Sequence, residues 1–561
     1  MRNPVWTLFA ALSLGACTTV PTTRASAPGV VSAADPRAAE AGAAMLRQGG
    51  SATDAVFATL LALTVVEPQS SGIGGGGFLV TSDARGAVAT YDGREEAPAA
   101  ATPDWFFKNG VAMSTREAIP GGKSVGVPGN VRMMALAHRA HGKLAWKALF
   151  NPAIGLARDG FLISPRMRMM LDHARTTGAL SAEGRDLFYG ADGEPLAAGT
   201  RVRNPRLAAF LTDLANRGPD SFYVGPNAQA IAATVRRSPR NPAPMTVGDL
   251  AAYDAKARAP VCGSYRGHRV CGMGPPSSGA TTVFAILKQL ERFDLTALGP
   301  DSPVAWHLIA ESMRLAYADR DLYLADADFV SVPVAGLTDP AYLAQRSALI
   351  APTTTMASVV AGRPAGARQM ALSPQPAEQG TSHFVATDRA GNVATLTSTI
   401  ESVFGSGLMV NGYYLNNELT DFNIVPMVNG VAVANRVEPG KRPRSSMSPT
   451  IVFSPDGRVR LAVGAAGGAT IIAQVAKAII GVVDWRLSAQ QAIALPVIYS
   501  PGATVYVEKG TAHEAMIPAL VALGHQVEAR EPGFKANAIE YKNGRWVGAA
   551  DPRSEGTSVG E

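Results

Sequence analysis

Apolar residues recur at helical spacing over 36–48 and again over 53–66, which predicts two Ala-rich helices. Ser51 or Thr53 starts the second, and Glu67-Pro68 stops it. The glycine loop Gly72–Gly77 then leads into a strand over 78–82. Residues 129–141 and 303–326 carry further long helical patterns. From 381 the texture changes. Phe384-Val-Ala-Thr387, Val393-Ala-Thr-Leu-Thr397 and Thr450-Ile-Val-Phe453 alternate as strands, divided by Asp388-Arg-Ala-Gly-Asn392 and Pro455-Asp-Gly457 turns. Just before that change, 351–380 is rich in Ala, Pro, Thr, Ser and Gln with little periodicity, the composition of a flexible segment or a processing site. Leu461–Val483 is apolar enough to suggest a membrane span, but Gln474, Lys477 and the Gly467-Gly468 pair predict a strand, a turn and a helix. No internal repeat is present.

Composition narrows the class. Hydrophobic residues are 47% of 561, which excludes wholesale disorder. At roughly 150 residues per domain the length implies three or four units. Gly and Pro are numerous, 57 and 39, yet no G-X-Y period appears and a collagen is excluded. The net charge of +6 is spread without long basic runs, which argues against a nucleic-acid partner.

The N-terminus stands outside the core. Arg2 precedes an apolar run, Val5–Ala16, too short to span a bilayer, and the run closes on Leu14-Gly-Ala-Cys17. That ending resembles a bacterial lipobox. Residues 1–16 then form a signal peptide, Cys17 takes a lipid anchor to the membrane, and Thr-, Ala- and Pro-rich 17–35 is a tether. Thr18 after the cysteine implies sorting to the outer membrane, so the expectation is an exported, periplasmic lipoprotein. The alternative, a secretory peptide cut after Ala25-Ser26-Ala27, is disfavoured by Pro28 and by its distance from the apolar run.

Export places Cys262 and Cys271 in an oxidising compartment. A hairpin pattern centred on Arg266-Gly267 sets them directly opposite each other. They form either a cross-strand disulfide or two buried thiols, structural in both cases. A metal site there would need more ligands than His268. His138 and His141 lie three apart on a basic helix and read as a solvated face. Gly72–Gly77 satisfies G-x-G-x-x-G, but a helix precedes it and a strand follows. That reverses the dinucleotide-binding order, so close backbone packing explains the glycines. No G-x-S-x-G elbow occurs, which removes the α/β-hydrolase reading.

Gly380-Thr-Ser-His-Phe384 places a hydroxyl residue after glycine at the change of texture, leading straight into a strand. A threonine freed at a chain N-terminus holds nucleophile and base together, because its α-amine, with a pKa of roughly 7.7–8.0, accepts the hydroxyl proton. Downstream lie Asn416-Asn-Glu-Leu-Thr-Asp-Phe422, Lys441-Arg-Pro-Arg-Ser-Ser-Met-Ser-Pro449 and Gly464-Ala-Ala-Gly-Gly-Ala469. Upstream lie Asp92-Gly-Arg-Glu-Glu-Ala-Pro98, Val125-Gly-Val-Pro-Gly129 and Gly274-Pro-Pro-Ser-Ser-Gly279. In this order, from about residue 33 to Asp551-Pro-Arg-Ser554, they resemble the γ-glutamyltransferase family of N-terminal-nucleophile hydrolases.

The resemblance implies an α/β fold, the αββα four-layer sandwich, made as one precursor and cut by itself between Gly380 and Thr381. The products would be an interlocked large fragment, 36–380, and a small catalytic one, 381–561. It implies Thr381 as nucleophile, Thr399 as the residue that orients its hydroxyl, and the Gly467 and Gly468 amides as an oxyanion hole. Arg94, Ser445 and Ser446 would hold the substrate α-carboxylate. Glu401, Glu418 and Asp421 would surround its α-ammonium, with an acid at two positions where the family also uses amides. His383, two residues after the nucleophile, reads as packing. The segment Phe422–Arg444 corresponds to a variable lid and carries no Tyr, Trp or Cys, so the aromatic lid contact of some relatives is missing.

The implied activity is hydrolysis and transfer of γ-glutamyl groups from glutathione and other γ-glutamyl amides, to water or to an amino-acid or dipeptide amine. No metal or organic cofactor is implied. One alternative is a glutaryl-cephalosporin acylase of the same family, whose substrate lacks the α-amino group and would leave three acids unpaired. Another is an inactive surface-binding lipoprotein, against which the intact Gly380-Thr381 and Gly467-Gly468 pairs weigh.

Overall fold

Strand formation follows the alternation seen in the sequence, and the strands assemble into two stacked sheets. The computed structural model describes residues 27–372, 380–531, 533 and 535–561; the expected signal peptide and lipidation site, residues 1–16 and Cys17, and residues 373–379 lie outside them. In chain order the sheet strands are Val30–Ala33 (β1), Gly76–Ser82 (β2), Val88–Gly93 (β3), Lys256–Arg258 (β4), Val261–Tyr265 (β5), His268–Gly272 (β6), Gly380–Thr387 (β7), Val393–Glu401 (β8), Thr450–Phe453 (β9), Val459–Ala466 (β10), Lys535–Lys542 (β11), Arg545–Ala550 (β12) and Thr557–Gly560 (β13). The first sheet runs β13-β1-β7-β8-β2-β3-β4 and the second β12-β11-β10-β9-β6-β5. Neighbours in both are antiparallel.

Helices Pro36–Arg47 (α1) and Ala52–Val66 (α2) cover the first sheet, with Asn130–His141 (α3) beside them. Gly279–Leu290 (α4), Pro303–Tyr323 (α5) and Thr470–Val483 (α6) form the layer outside the second sheet. Asp35 caps α1, and Ser51 caps α2 through a reciprocal capping box with Asp54. Every residue of α2 is buried, as its apolar composition on all faces requires. Side chains of β7 alternate between two cores: Phe384 and Ala386 pack with α1 and α2, and Val385 packs between the sheets. The layering is αββα. Residues 461–483 form β10, a turn and α6, and no helix among the described residues is long and apolar enough to cross a membrane.

Three expectations change, and one open alternative is resolved. The tether does not extend to 35, because Val30–Ala33 is a buried strand pairing with both β7 and β13; its two valines are masked by Ala, Pro and Ser around them. His138 and His141 are not a solvated face. His138 Nε2 lies 2.9 Å from the Leu144 carbonyl and 3.4 Å from Asp54, and His141 Nε2 lies 2.6 Å from the Tyr91 hydroxyl. Of the 351–380 segment expected to be flexible or a processing site, the stretch around Met356 and Gly362 is held, their amides each donating over 2.7 Å to carboxylates of α5, Glu311 and Asp319. Of the two readings left open for Cys262 and Cys271, which stand opposite each other with Cα atoms 4.1 Å apart, the cross-strand disulfide is the one formed. Arg266 and Gly267 take positive φ, 52° and 77°, as a tight hairpin turn requires.

Candidate active site

Thr381 lies at the start of β7, directly opposite Thr399 on β8, with 3.1 Å between the two hydroxyl oxygens. Both hydroxyls reach the carbonyl oxygen of Gly380, that of Thr381 at 2.7 Å. The Glu401 amide donates to Thr399 Oγ1 at 2.8 Å and fixes that hydroxyl from behind. The ladder is regular up to Thr381 and then slips, so that Gly380 pairs with Glu401. The extra residue is Ile400 on β8, a bulge opposite the Gly380–Thr381 bond of a kind common beside active sites. Glu401 takes a φ of 74°, strained for a residue with a side chain. Only glycine fits at 380, since a Cβ would come within 2.6 Å of the Glu401 carbonyl oxygen. The Gly72–Gly77 loop packs as its composition predicted: a Cβ on Gly75 would collide with the Thr399 carbonyl, and one on Gly74 with that of Tyr414.

Arg94 follows directly from β3 and is buried. Its guanidinium pairs with Glu418 and Asp421 on a short 3-10 turn, and it donates to the Pro443 and Arg444 carbonyls at 3.0 and 3.1 Å. Glu401 accepts hydrogen bonds from Ser402 Oγ, at 2.6 Å, and from the Asn417 side chain. Glu95 is buried 4.0 Å from Arg94, and neither of its oxygens has a donor among the described residues. Three carboxyls thus pair with one guanidinium, and a fourth, Glu401, lies near enough to feel its charge. Burial, helped by the Asp421 charge, pushes Glu401 up to about 8. Burial pushes Glu95 up to about 7 against the pull of Arg94, and raises Glu418 well above the usual carboxylate range. Such a pocket is short of positive charge.

The Ser445 carbonyl accepts from both the amide and the hydroxyl of Ser278, each at 2.7 Å, which locks the 443–447 segment onto the 274–279 turn beside Arg94. Ser445 Oγ accepts the Met447 amide at 3.1 Å, and Ser446 Oγ accepts from Arg320 at 2.7 Å. Gly467 and Gly468 turn the chain from β10 into α6 with φ of 125° and 58°. Their amides stand at a helix N-terminus, where partial positive charge collects. Among the described residues no hydrogen bond joins them to Thr381. They are nevertheless set by its strand, because β10 packs Gly464 against the His383 ring so closely that a Cβ there would overlap it. His383 is packing, as expected. It lies 2.8 and 3.1 Å from the Thr397 and Thr395 hydroxyls, and burial pushes it down to about 3, which leaves it neutral.

Several neighbours escaped the sequence reading. Glu95 and Asn417 lie inside motifs already singled out, adjacent to Arg94 and Glu418. Arg320 carried no signal beyond being a charge on a buried helix. Behind the nucleophile strand, Lys535 Nζ reaches Glu67 at 2.7 Å and Ser382 Oγ at 3.2 Å, and Ser382 donates to Glu67 at 2.6 Å. Glu67 and Lys535 are 468 positions apart, so no local pattern announces them. No group of three or more His, Cys, Asp or Glu among the described residues is placed to hold a metal.

An αββα sandwich with a glycine–threonine bond at the start of a central strand, its hydroxyl paired with a second threonine, defines the N-terminal-nucleophile hydrolase class. Within that class, the sequence model described as gamma-glutamyltranspeptidase matches residues 38–561, and the chain belongs to that family. It is 37% identical over 547 residues to the glutathione hydrolase proenzyme of Bacillus subtilis (strain 168), covering 95% of this chain and 91% of the relative. The acylase ACY 1 proenzyme of Pseudomonas sp. (strain SE83) is 35% identical over 547 residues, with 95% and 93% covered. A crystal structure of cephalosporin acylase from Bacillus halodurans superposes with a TM-score of 0.84 at 25% identity over 99% of both chains.

Proposed function

We propose that the chain cuts itself before Thr381 and then hydrolyses and transfers γ-glutamyl groups from glutathione and related γ-glutamyl amides. The observation that carries this reading is the cation-poor pocket of Glu95, Glu401, Glu418 and Asp421 around Arg94, beside a paired threonine hydroxyl. In the first reaction Thr381 Oγ adds to the Gly380 carbonyl carbon, the acyl group moves from nitrogen to oxygen and so frees the α-amine, and water hydrolyses the ester to release the Gly380 carboxylate and the Thr381 hydroxyl. In the second, that amine takes the hydroxyl proton as Thr381 Oγ attacks the substrate γ-carbonyl. The Gly467 and Gly468 amides face the developing oxyanion, and the departing amine leaves protonated. Water or an amino-acid or dipeptide amine then accepts the γ-glutamyl group. Arg94, Ser445 and Ser446 hold the α-carboxylate, and Glu401, Glu418 and Asp421 the α-ammonium.

A relative named an acylase has similar identity, and the competing reading is a glutaryl amide as substrate. Lacking an ammonium, it would leave the pocket acids unpaired. The test is a denaturing gel with Edman sequencing of the small fragment, followed by turnover of γ-glutamyl- and glutaryl-p-nitroanilide. Two fragments, the smaller beginning at Thr381, and preference for the γ-glutamyl donor are expected. An uncut but active chain, or preference for the glutaryl donor, overturns the reading.

The lipobox-like Leu14-Gly-Ala-Cys17 supports export and lipid attachment at Cys17 in the outer membrane. Cys17→Ser is expected to move the protein from the membrane fraction to the soluble one, and a wild type already soluble removes the anchor.

A further inference from the structure

A cleft of about 1330 Å³ opens beside the reacting bond. Its inner wall is Ser402-Val403, immediately after Glu401. Ser402 Oγ donates to the Glu401 carboxylate at 2.6 Å, and a Cβ on Gly380 would lie 2.8 Å from the Ser402 carbonyl oxygen. One side of Ser402 therefore faces the acid pocket and the Gly380–Thr381 bond, and the other faces the cleft. The space greatly exceeds what one γ-glutamyl unit fills.

The charge of this cleft is one-sided. Lys108, Arg116 and Arg240 line it with His173, against a single acid, Glu117. Over the whole chain basic and acidic residues are nearly balanced, 51 to 45, so the cleft is a local concentration of cations. Glu117, held by the amide and hydroxyl of Ser114 at 2.9 and 2.7 Å, offsets Lys108 in part and leaves the charges of Arg116 and Arg240 in excess. Lys108, Arg116 and Arg240 form no ion pair with a described residue. A concave surface lined by one sign focuses its field on the ligand that enters. Ser402 thus joins an acid pocket suited to an ammonium to a basic cleft suited to carboxylates.

We propose that this cleft binds the part of the donor beyond the γ-amide bond and selects leaving groups that carry a carboxylate, as peptide-like amines do. The inference rests on the γ-glutamyl reading above and adds the substrate's other end to it. A donor lying across the site then has its ammonium among the acids and its free carboxylate among Lys108, Arg116 and Arg240, which fixes its direction.

The experiment compares two donors on the mature enzyme, γ-glutamyl-p-nitroanilide and γ-glutamyl-3-carboxy-4-nitroanilide, which differ by one carboxylate on the leaving group. Wild type is expected to prefer the carboxylated donor through a lower KM, and the preference to shrink about tenfold between roughly 20 mM and 0.5 M salt. The double variant Arg116→Gln, Arg240→Gln should shrink it to a similar extent at low salt. A ratio between donors that moves with neither salt nor substitution overturns the cleft assignment and leaves γ-glutamyl transfer standing. Turnover of neither donor by a correctly cut enzyme overturns the γ-glutamyl reading, and the cleft assignment falls with it. Should the double variant not fold, the salt dependence of wild type decides alone.

Discussion

Thr399 Oγ1 stands 3.1 Å from Thr381 Oγ1, and the two hydroxyls share the Gly380 carbonyl oxygen as acceptor. In the intact chain the pair therefore addresses the bond that is to break. Thr399→Val keeps the shape and removes one hydroxyl. Self-cleavage is expected to slow about 10- to 100-fold, the scale of about 1–3 kcal/mol for a buried hydrogen-bond partner lost. Thr399→Ser should restore much of the rate, and Thr381→Ala should stay full-length. The fraction uncut against time on a denaturing gel measures all three, and Thr399→Val maturing at the wild-type rate removes the role.

Asp421 is one of three carboxyls paired with Arg94. Asp421→Asn keeps the outline and removes the charge. Turnover of γ-glutamyl-p-nitroanilide should lose about 2–5 kcal/mol in kcat/KM, the scale for breaking a desolvated charge pair. The glutaryl analogue, which has no ammonium, should lose much less. Equal losses on both donors would mean that Asp421 only supports Arg94.

Proton uptake by the same pocket gives a pH dependence. Glu401 is raised from 4.5 to about 8, so the folded protein binds that proton more tightly than the unfolded chain does. Stability of the empty enzyme should accordingly fall as pH rises from about 4.5 towards about 8. A bound ammonium favours the ionised acid, so donor KM should fall over the upper part of this window. Thermal unfolding and donor KM measured from pH 6 to 8.5 are expected to show both trends, with Glu401→Gln flattening them. An unchanged KM profile in Glu401→Gln assigns the titration elsewhere.

The buried Lys535–Glu67 pair ties α2's end to the nucleophile strand through Ser382. Lys535→Met leaves Glu67 buried without its cation, a change expected to cost about 3–5 kcal/mol. Denaturant midpoints of the two proteins measure it. Lys535→Met together with Glu67→Leu should recover much of the loss, and no recovery would mean that lost packing rather than the unpaired charge is responsible.

Much of this was legible in the chain. The helices around 36–66 and the strands beyond 381 declare themselves by period, and Arg94, Glu418 and Asp421 stand in motifs that the fold brings into contact. What stayed hidden has a physical cause in each case. Val30–Ala33 is short and acquires its strand character only by lying between β7 and β13. The slip at Gly380 belongs to the pairing of two strands and not to either one. His138 looked solvent-facing because Asp54, its partner, comes from another helix. The fourth acid, Glu95, became visible only when burial removed every other donor from its reach.

The order of the first sheet has a kinetic corollary. β1 lies between β13 and β7, so a cut before Thr381 leaves a strand from the large fragment hydrogen-bonded on both sides to the small one. The precursor folds as one chain, at a rate independent of concentration. Once cut, the same architecture has to be rebuilt from two molecules, and its recovery becomes second order. Maturation thus discards the route by which the fold was reached, and the working lifetime of the enzyme passes from its equilibrium stability to its unfolding barrier. Denatured mature enzyme should regain little of its activity on dilution, whereas Thr381→Ala precursor, given the same treatment, should return to its native fold.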